Sequence, residues 1–132
     1  MARLPPPAAA GGVLIRVSVS DAPPGAKGIH IHEKGDCSDI QANSMGSHFN
    51  PGHVNHGLPG ASQHHPGDLG NISIGPDGKG RLDITTEQGG LKAGEPTSFL
   101  GRSIIIHEAE DKGVQPTGGA GKPIACAVIE QG

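Results

Sequence analysis

No apolar run in this chain of 132 residues approaches the ~20 needed to cross a bilayer as a helix, which excludes a spanning segment and a membrane partner. Positive charge is not in excess either. Ten basic residues against 13 acidic ones give a formal charge of −3, so no basic surface invites nucleic acid. Cysteine is scarce: Cys37 and Cys126 are the only two, and without a C-x-x-C neither a thiolate zinc knuckle nor a thioredoxin-like site can form. Their spacing leaves two readings open. They are a pair of inert core thiols, or one disulfide closing a long loop, worth ~4 kcal/mol and implying an oxidising compartment. The opening Met1-Ala-Arg-Leu-Pro-Pro-Pro-Ala-Ala-Ala10 has Arg3 but not the apolar stretch of a secretion signal, so nothing in the chain as written exports it. Aromatics are nearly absent, with two Phe, no Tyr and no Trp.

What the chain does have is 23 Gly and 12 Pro, which argue against long helices and for short strands joined by many turns. Its length fits one domain around one core. Residues 1–12 are rich in Pro, Ala and Gly and read as a disordered or extended leader, with the domain occupying 13–132. Val13 to Ser20 reads as a half-buried strand, alternating from Ile15 onward with apolar residues at 15, 17 and 19. Asp21-Ala-Pro-Pro-Gly25 is a turn, and Gly28-Ile-His-Ile-His-Glu33 a second strand. Strand patterns return at Leu69–Ile74 and, across the tight turn Gly75-Pro-Asp-Gly78, at Gly80–Thr86. Ser103-Ile-Ile-Ile-His107 is short and β-branched, and Ile124–Ile129 closes the series. Six strands, no convincing helix and no internal repeat place the chain in the all-β, antiparallel class.

Between Gly35 and Gly67 the hydrophobic pattern disappears, and a loop that long inside a compact domain is either disordered or functional. Histidine decides between the two. His30 and His32 alternate with isoleucine on one strand, so both imidazoles leave the same face. Two such nitrogens suit an imidazole-preferring ion such as copper, although an H-x-H pair on a strand also arises by chance. The loop adds His48, His53, His56, His64, His65 and Asp68, and His107 ends the Ile-rich strand. Three histidines with one aspartate make a closed tetrahedral set for zinc. Against a merely solvated loop stands its ordering cost, ~1 kcal/mol or more per residue. Few apolar groups are there to offset it, whereas a structural zinc ion contributes on the order of 10 kcal/mol.

Six segments together resemble the successive signatures of the copper,zinc superoxide dismutases, in family order and spacing from about Val13 to Ile129. They are Gly28-Ile-His-Ile-His-Glu33, His48-Phe-Asn-Pro51, His56-Gly57, His65-Pro-Gly-Asp-Leu-Gly-Asn71, Gly101-Arg-Ser-Ile-Ile-Ile-His-Glu108 and Gly118-Gly-Ala-Gly-Lys-Pro-Ile-Ala-Cys126. The short step from Glu33 to Cys37 and the compact last loop are similar to bacterial members. The resemblance implies an antiparallel Greek-key β-sandwich or barrel, immunoglobulin-like, and an oxidoreductase that dismutes the superoxide anion to oxygen and hydrogen peroxide. It implies copper ligands His30, His32, His48 and His107 and zinc ligands His48, His56, His65 and Asp68. The His48 imidazolate then bridges both metals and relays a proton. It further implies that Asp111 links the free nitrogens of His30 and His56, and that Cys37 and Cys126 form the family's intrasubunit disulfide. His53 and His64 fall off the family spacing and read as solvated neighbours, with His64 the alternative to His65.

Two departures accompany the match. The family's active-site arginine, three residues before the second cysteine, is Pro123 here, and Pro has neither charge nor N–H. Lys122 is a weak substitute for attracting the anion, because a flexible ammonium does not reproduce a guanidinium fork. Activity is therefore expected one to two orders of magnitude below an arginine-bearing relative, about the cost of one positioned charge. The second departure is that the family's first hairpin is missing, which would leave a sheet edge and part of the core uncovered. Three explanations stand: a gene model whose true start and export signal lie upstream, a homodimer in which another chain supplies the edge, or a marginal domain held by metals and a disulfide. The rival to the enzyme is a non-enzymatic, dismutase-like metal-binding protein. Family resemblance and the disulfide imply a periplasmic or secreted location, while the missing signal leaves the cytoplasm open.

Overall fold

The alternating stretches become strands because each puts aliphatic side chains on one face and polar ones on the other. In the computed structural model, which describes residues 2–4, 13–50, 55–58, 64–65, 67–86, 98–113 and 118–131, the strands are β1 (Ala2–Leu4), β2 (Val13–Val19), β3 (Gly25–His32), β4 (Asp68–Ile74), β5 (Gly80–Thr86), β6 (Ser103–His107), β7 (Pro123–Val128) and β8 (Glu130–Gln131). They hydrogen-bond in the order β7-β6-β3-β4-β5-β2-β1-β8. All pairings are antiparallel except the short β1–β8 contact. Three successive strands, β3, β4 and β5, lie side by side with β2 returned next to β5, which is a Greek key. The Gly75–Gly78 turn closes through Gly75 N–H to Lys79 O at 2.9 Å, with Gly78 at φ +80°, a backbone state that suits glycine.

The sheet curls on itself around one aliphatic interior. Ile15 and Val17 of β2, Ile29 and Ile31 of β3, Leu69 and Ile72 of β4, and Ile104 and Ile106 of β6 are all buried there with Phe49 and Phe99. Phe49 also carries the Arg102 guanidinium over its ring at 3.9 Å, and Arg102 Nε donates to Ser98 O at 2.6 Å. Cys37 and Cys126 are joined as a disulfide across a sequence separation of 89, tying the start of the long loop to β7.

Two details differ from the sequence reading. Beyond the six strands expected, Ala2–Leu4 forms a short strand, pairing Ala2 with Val17 and Arg3 with Arg16, and so covers part of the β2 edge. Propensity gives no hint of three residues whose order comes from pairing with an existing edge. A one-turn 3-10 helix also forms at Ile40–Ala42, capped by the Asp39 carboxylate accepting from Ala42 N–H and ended by Asn43 at φ +59°. No helix among the described residues is long and apolar enough to cross a membrane.

Candidate metal centre

The histidines of β3 point away from the aliphatic interior, yet His30 is fully buried and His32 nearly so. The long loop covers them. Its return onto the sheet is fixed by a bridge between His32 and His48, by Phe49 N–H to Ile31 O at 2.7 Å and by Glu33 N–H to Ser47 O at 2.9 Å. His48 therefore lands at the centre, its ring stacked on His30 with centroids 4.1 Å apart and edge-on to His32, His56 and His65. His107, at the end of β6, meets His30 edge-on at 4.9 Å.

Hydrogen bonds then set which nitrogen of each ring faces inward. His30 Nε2 donates to Asp111 Oδ2 at 2.7 Å, which leaves the Nδ1 lone pair available. His32 Nδ1 donates to Gly46 O at 2.8 Å and His107 Nδ1 to Gly121 O at 3.0 Å, so in both rings Nε2 keeps its lone pair. His30 Nδ1, His32 Nε2 and His107 Nε2 are buried without a hydrogen-bond partner. Ligand atoms of His30, His32, His48 and His107 lie within 4.8 Å of one another, and so do those of His30, His48, His56 and Asp68. Leaving several buried polar atoms unsatisfied costs ~1–3 kcal/mol each. Lone pairs converging in this way fit a cation, and three or four imidazoles suit copper or zinc rather than calcium or magnesium.

On the far side of His48, Asp68 Oδ2 accepts from His65 N–H at 2.7 Å and Gly57 N–H at 3.3 Å. Its other oxygen, Oδ1, is buried without a hydrogen bond and lies 2.9 Å from His56 Nδ1, 3.3 Å from His48 Nδ1 and 3.4 Å from His65 Nδ1. One carboxylate oxygen thus faces three imidazole nitrogens. Asp111 connects the halves, since its Oδ1 accepts from His56 Nε2 at 2.9 Å while Oδ2 holds His30. A side chain at Gly118, φ +95°, would collide with Asp111 and His56, so glycine is needed where the last loop passes over this link.

The protonation states agree with a ligand role. Burial lowers His30 to about 4 against the opposing pull of Asp111, lowers His32 to about 3, and lowers His107 as well. Burial alone would raise Asp68 and Asp111, but hydrogen bonds from the histidines outweigh it and hold both below the usual carboxylate range. Neutral imidazoles and ionised carboxylates are the forms that bind metals.

Of the remaining sequence candidates, His64 is half-buried and its Nδ1 donates to His65 O at 2.9 Å, whereas His53 lies outside the described residues. Lys122 is exposed and its backbone N–H goes to Glu108 Oε2 at 2.6 Å. Pro123 lines a cavity of about 260 Å³ over His32, His48 and His107, and no Lys or Arg is among the cavity's described lining. Sequence reasoning passed over Asn71, whose side chain holds the Asp111 backbone from both ends, accepting from its N–H at 2.7 Å and donating to its O at 3.1 Å. A polar residue between Leu69 and Ile72 of a buried strand was the available signal. The carbonyls of Gly46 and Gly121 left none, because backbone acceptors have no residue signature.

Comparison with known proteins agrees with this geometry. Residues 5–129 match the family described as copper/zinc superoxide dismutase (SODC). The chain is 40% identical over 131 aligned residues to a superoxide dismutase [Cu-Zn] of Deinococcus radiodurans, covering 90% of this chain and 71% of the relative. It is 39% identical over 123 residues to the human copper chaperone for superoxide dismutase, covering 88% of this chain but only 43% of that protein. The crystal structure of the clock protein EA4 superposes with a TM-score of 0.80 at 38% identity, over 89% of this chain and 78% of the other.

Proposed function

This chain belongs to the copper/zinc superoxide dismutase family, and from that premise we propose that it dismutes superoxide to oxygen and hydrogen peroxide at a His-bridged copper–zinc centre. In this reading His30, His32, His48 and His107 hold copper, and His48, His56, His65 and Asp68 hold zinc. The observation that carries it is the set of buried lone pairs without hydrogen bonds on His30, His32, His107 and Asp68, converging from both sides on His48. Copper would supply one-electron exchange, while zinc, inert to redox chemistry, would fix the loop. Two superoxide anions and two protons give one oxygen and one hydrogen peroxide. His48 would lend one proton, as the ring whose two nitrogens serve the two sides. Asp111 keeps His30 and His56 in the tautomers the ligand set requires. The disulfide supports an oxidising location, the periplasm or outside the cell.

A second reading, a weakly active or non-enzymatic metal-binding relative, is favoured by one observation. The described lining of the cavity over the copper histidines has no cationic side chain, so nothing there draws an anion inward. Copper and zinc counted per chain, followed by a superoxide assay on the same sample, decide between the two. One of each metal with turnover supports the enzyme; both metals without turnover, or zinc alone, support the binding protein.

A further inference from the structure

Methionine in a protein interior ordinarily fills gaps between aliphatic neighbours. Met45 does not. It is 1% exposed, yet it has no place in the aliphatic cluster formed by β2, β3, β4 and β6 or among the residues packed on that cluster. Instead it lines the cavity over His32, His48 and His107. The backbone holds it there. Met45 O accepts from Lys34 N–H at 3.0 Å, and the next residue, Gly46 at φ +75°, gives its carbonyl to His32 Nδ1. One turn therefore both orients a histidine and sets a methionine in the lining of the same cavity. Pro123 and Ala120, also in the lining, bring no charge and no competing ligand.

A thioether is a soft, polarisable and uncharged donor, which favours Cu(I) over Cu(II), while imidazole accepts both. We propose that Met45 is a specificity-determining residue of this centre, biasing it toward the monovalent ion. The inference rests on the reading of His30, His32, His48 and His107 as copper ligands. It assigns to the wall of the cavity a role that those four residues do not supply.

The zinc-loaded protein and its Met45→Leu variant are titrated with Cu(I) against a chromophoric Cu(I) chelator without oxygen, and with Cu(II) against nitrilotriacetate. Leucine conserves volume, so the fold should tolerate it. The expected result is a loss of about tenfold or more in Cu(I) affinity with Cu(II) affinity changed by less than about threefold. X-ray absorption of the Cu(I)-loaded protein supplies a measurement that needs no variant. Both cysteines are tied up in the disulfide and Met1 is the only other methionine, so a sulfur neighbour that disappears in Met45→Leu identifies Met45. Equal Cu(I) affinities in the two proteins, together with a nitrogen-only copper environment, overturn the proposal while leaving the metal centre intact. His32→Ala separates the other failure: if it does not weaken Cu(II) binding, the ligand assignment itself is wrong and the inference goes with it.

Discussion

Strand β3 has two faces that are equally buried and made for different partners. Ile29 and Ile31 are 0% exposed against an aliphatic interior, while His30 and His32 are 0% and 5% exposed beneath a loop with little apolar content. The first interior is stable as built, because burying each isoleucine contributes ~2 kcal/mol and leaves no polar atom unmatched. The second contains nitrogens and an oxygen whose hydrogen bonds have been arranged to leave lone pairs over. Such a face costs stability, ~1–3 kcal/mol for each unmatched atom, unless something binds there. The contrast separates what holds the sheet together from what holds the loop to it.

The strongest way to break that contrast is to remove the ions. Chelating copper and zinc is expected to cost on the order of 10 kcal/mol and to lower the unfolding temperature by ~20 °C or more in calorimetry. Amide exchange should accelerate around His48 and His65 far more than in β2 or β6. A metal-free protein melting within a few degrees of the loaded one would show that both interiors are self-sufficient.

The disulfide is the next largest link between the two regions, because Cys37 begins the loop and Cys126 sits in β7. Cys37→Ser should cost about 4 kcal/mol in denaturant unfolding. The loss should be as large in metal-free as in loaded protein if the bond acts mainly on the unfolded chain.

Acid tests the histidine face alone. Folded His30 and His32 titrate near 4 and 3, below the ordinary 6.5, so the unfolded chain binds more protons between these values. Stability of the metal-free protein is present above about pH 6.5 and falls as pH drops toward 4, by on the order of 3 kcal/mol for each ring. Asp68 and Asp111, both lowered, extend the loss to more acid pH. A melting temperature flat from pH 7 to 4 would mean these rings are not held neutral.

How much of this could be read in the sequence follows the same division. The aliphatic strands were legible because alternation is local, and β2 to β7 fall within a few residues of the periodic stretches. The short β1 was not, since its order comes only from the neighbouring strands. At the centre, motif spacing pointed to the histidines, and the structure brings His30, His32, His48, His56, His107 and Asp68 together. What spacing did not show were the groups that orient them. Gly46 O and Gly121 O act through backbone, and Asn71 acts through the backbone of another residue. Asp111 was found only because a family motif pointed to it. Its worth is measurable: Asp111→Asn should weaken zinc and copper binding about 10- to 100-fold, read by chelator competition. A smaller change would assign the orientation of His30 and His56 to packing alone.

The finest test concerns the mouth of the cavity rather than either interior. Pro123 lines it, pairs in register with His107 and accepts from Gln41 Nε2 through its carbonyl at 2.8 Å. Arginine at this position could keep that carbonyl bond, which is backbone, and add a cation beside the histidines. Pro123→Arg should raise the superoxide rate of the loaded protein by about tenfold or more, measured by pulse radiolysis. Because the gain is electrostatic it should shrink as ionic strength rises. Stability should hardly move, since neither buried face is touched. A rate that stays the same at low salt would mean that charge at the mouth does not limit this centre, and would turn attention to the histidine face beneath it.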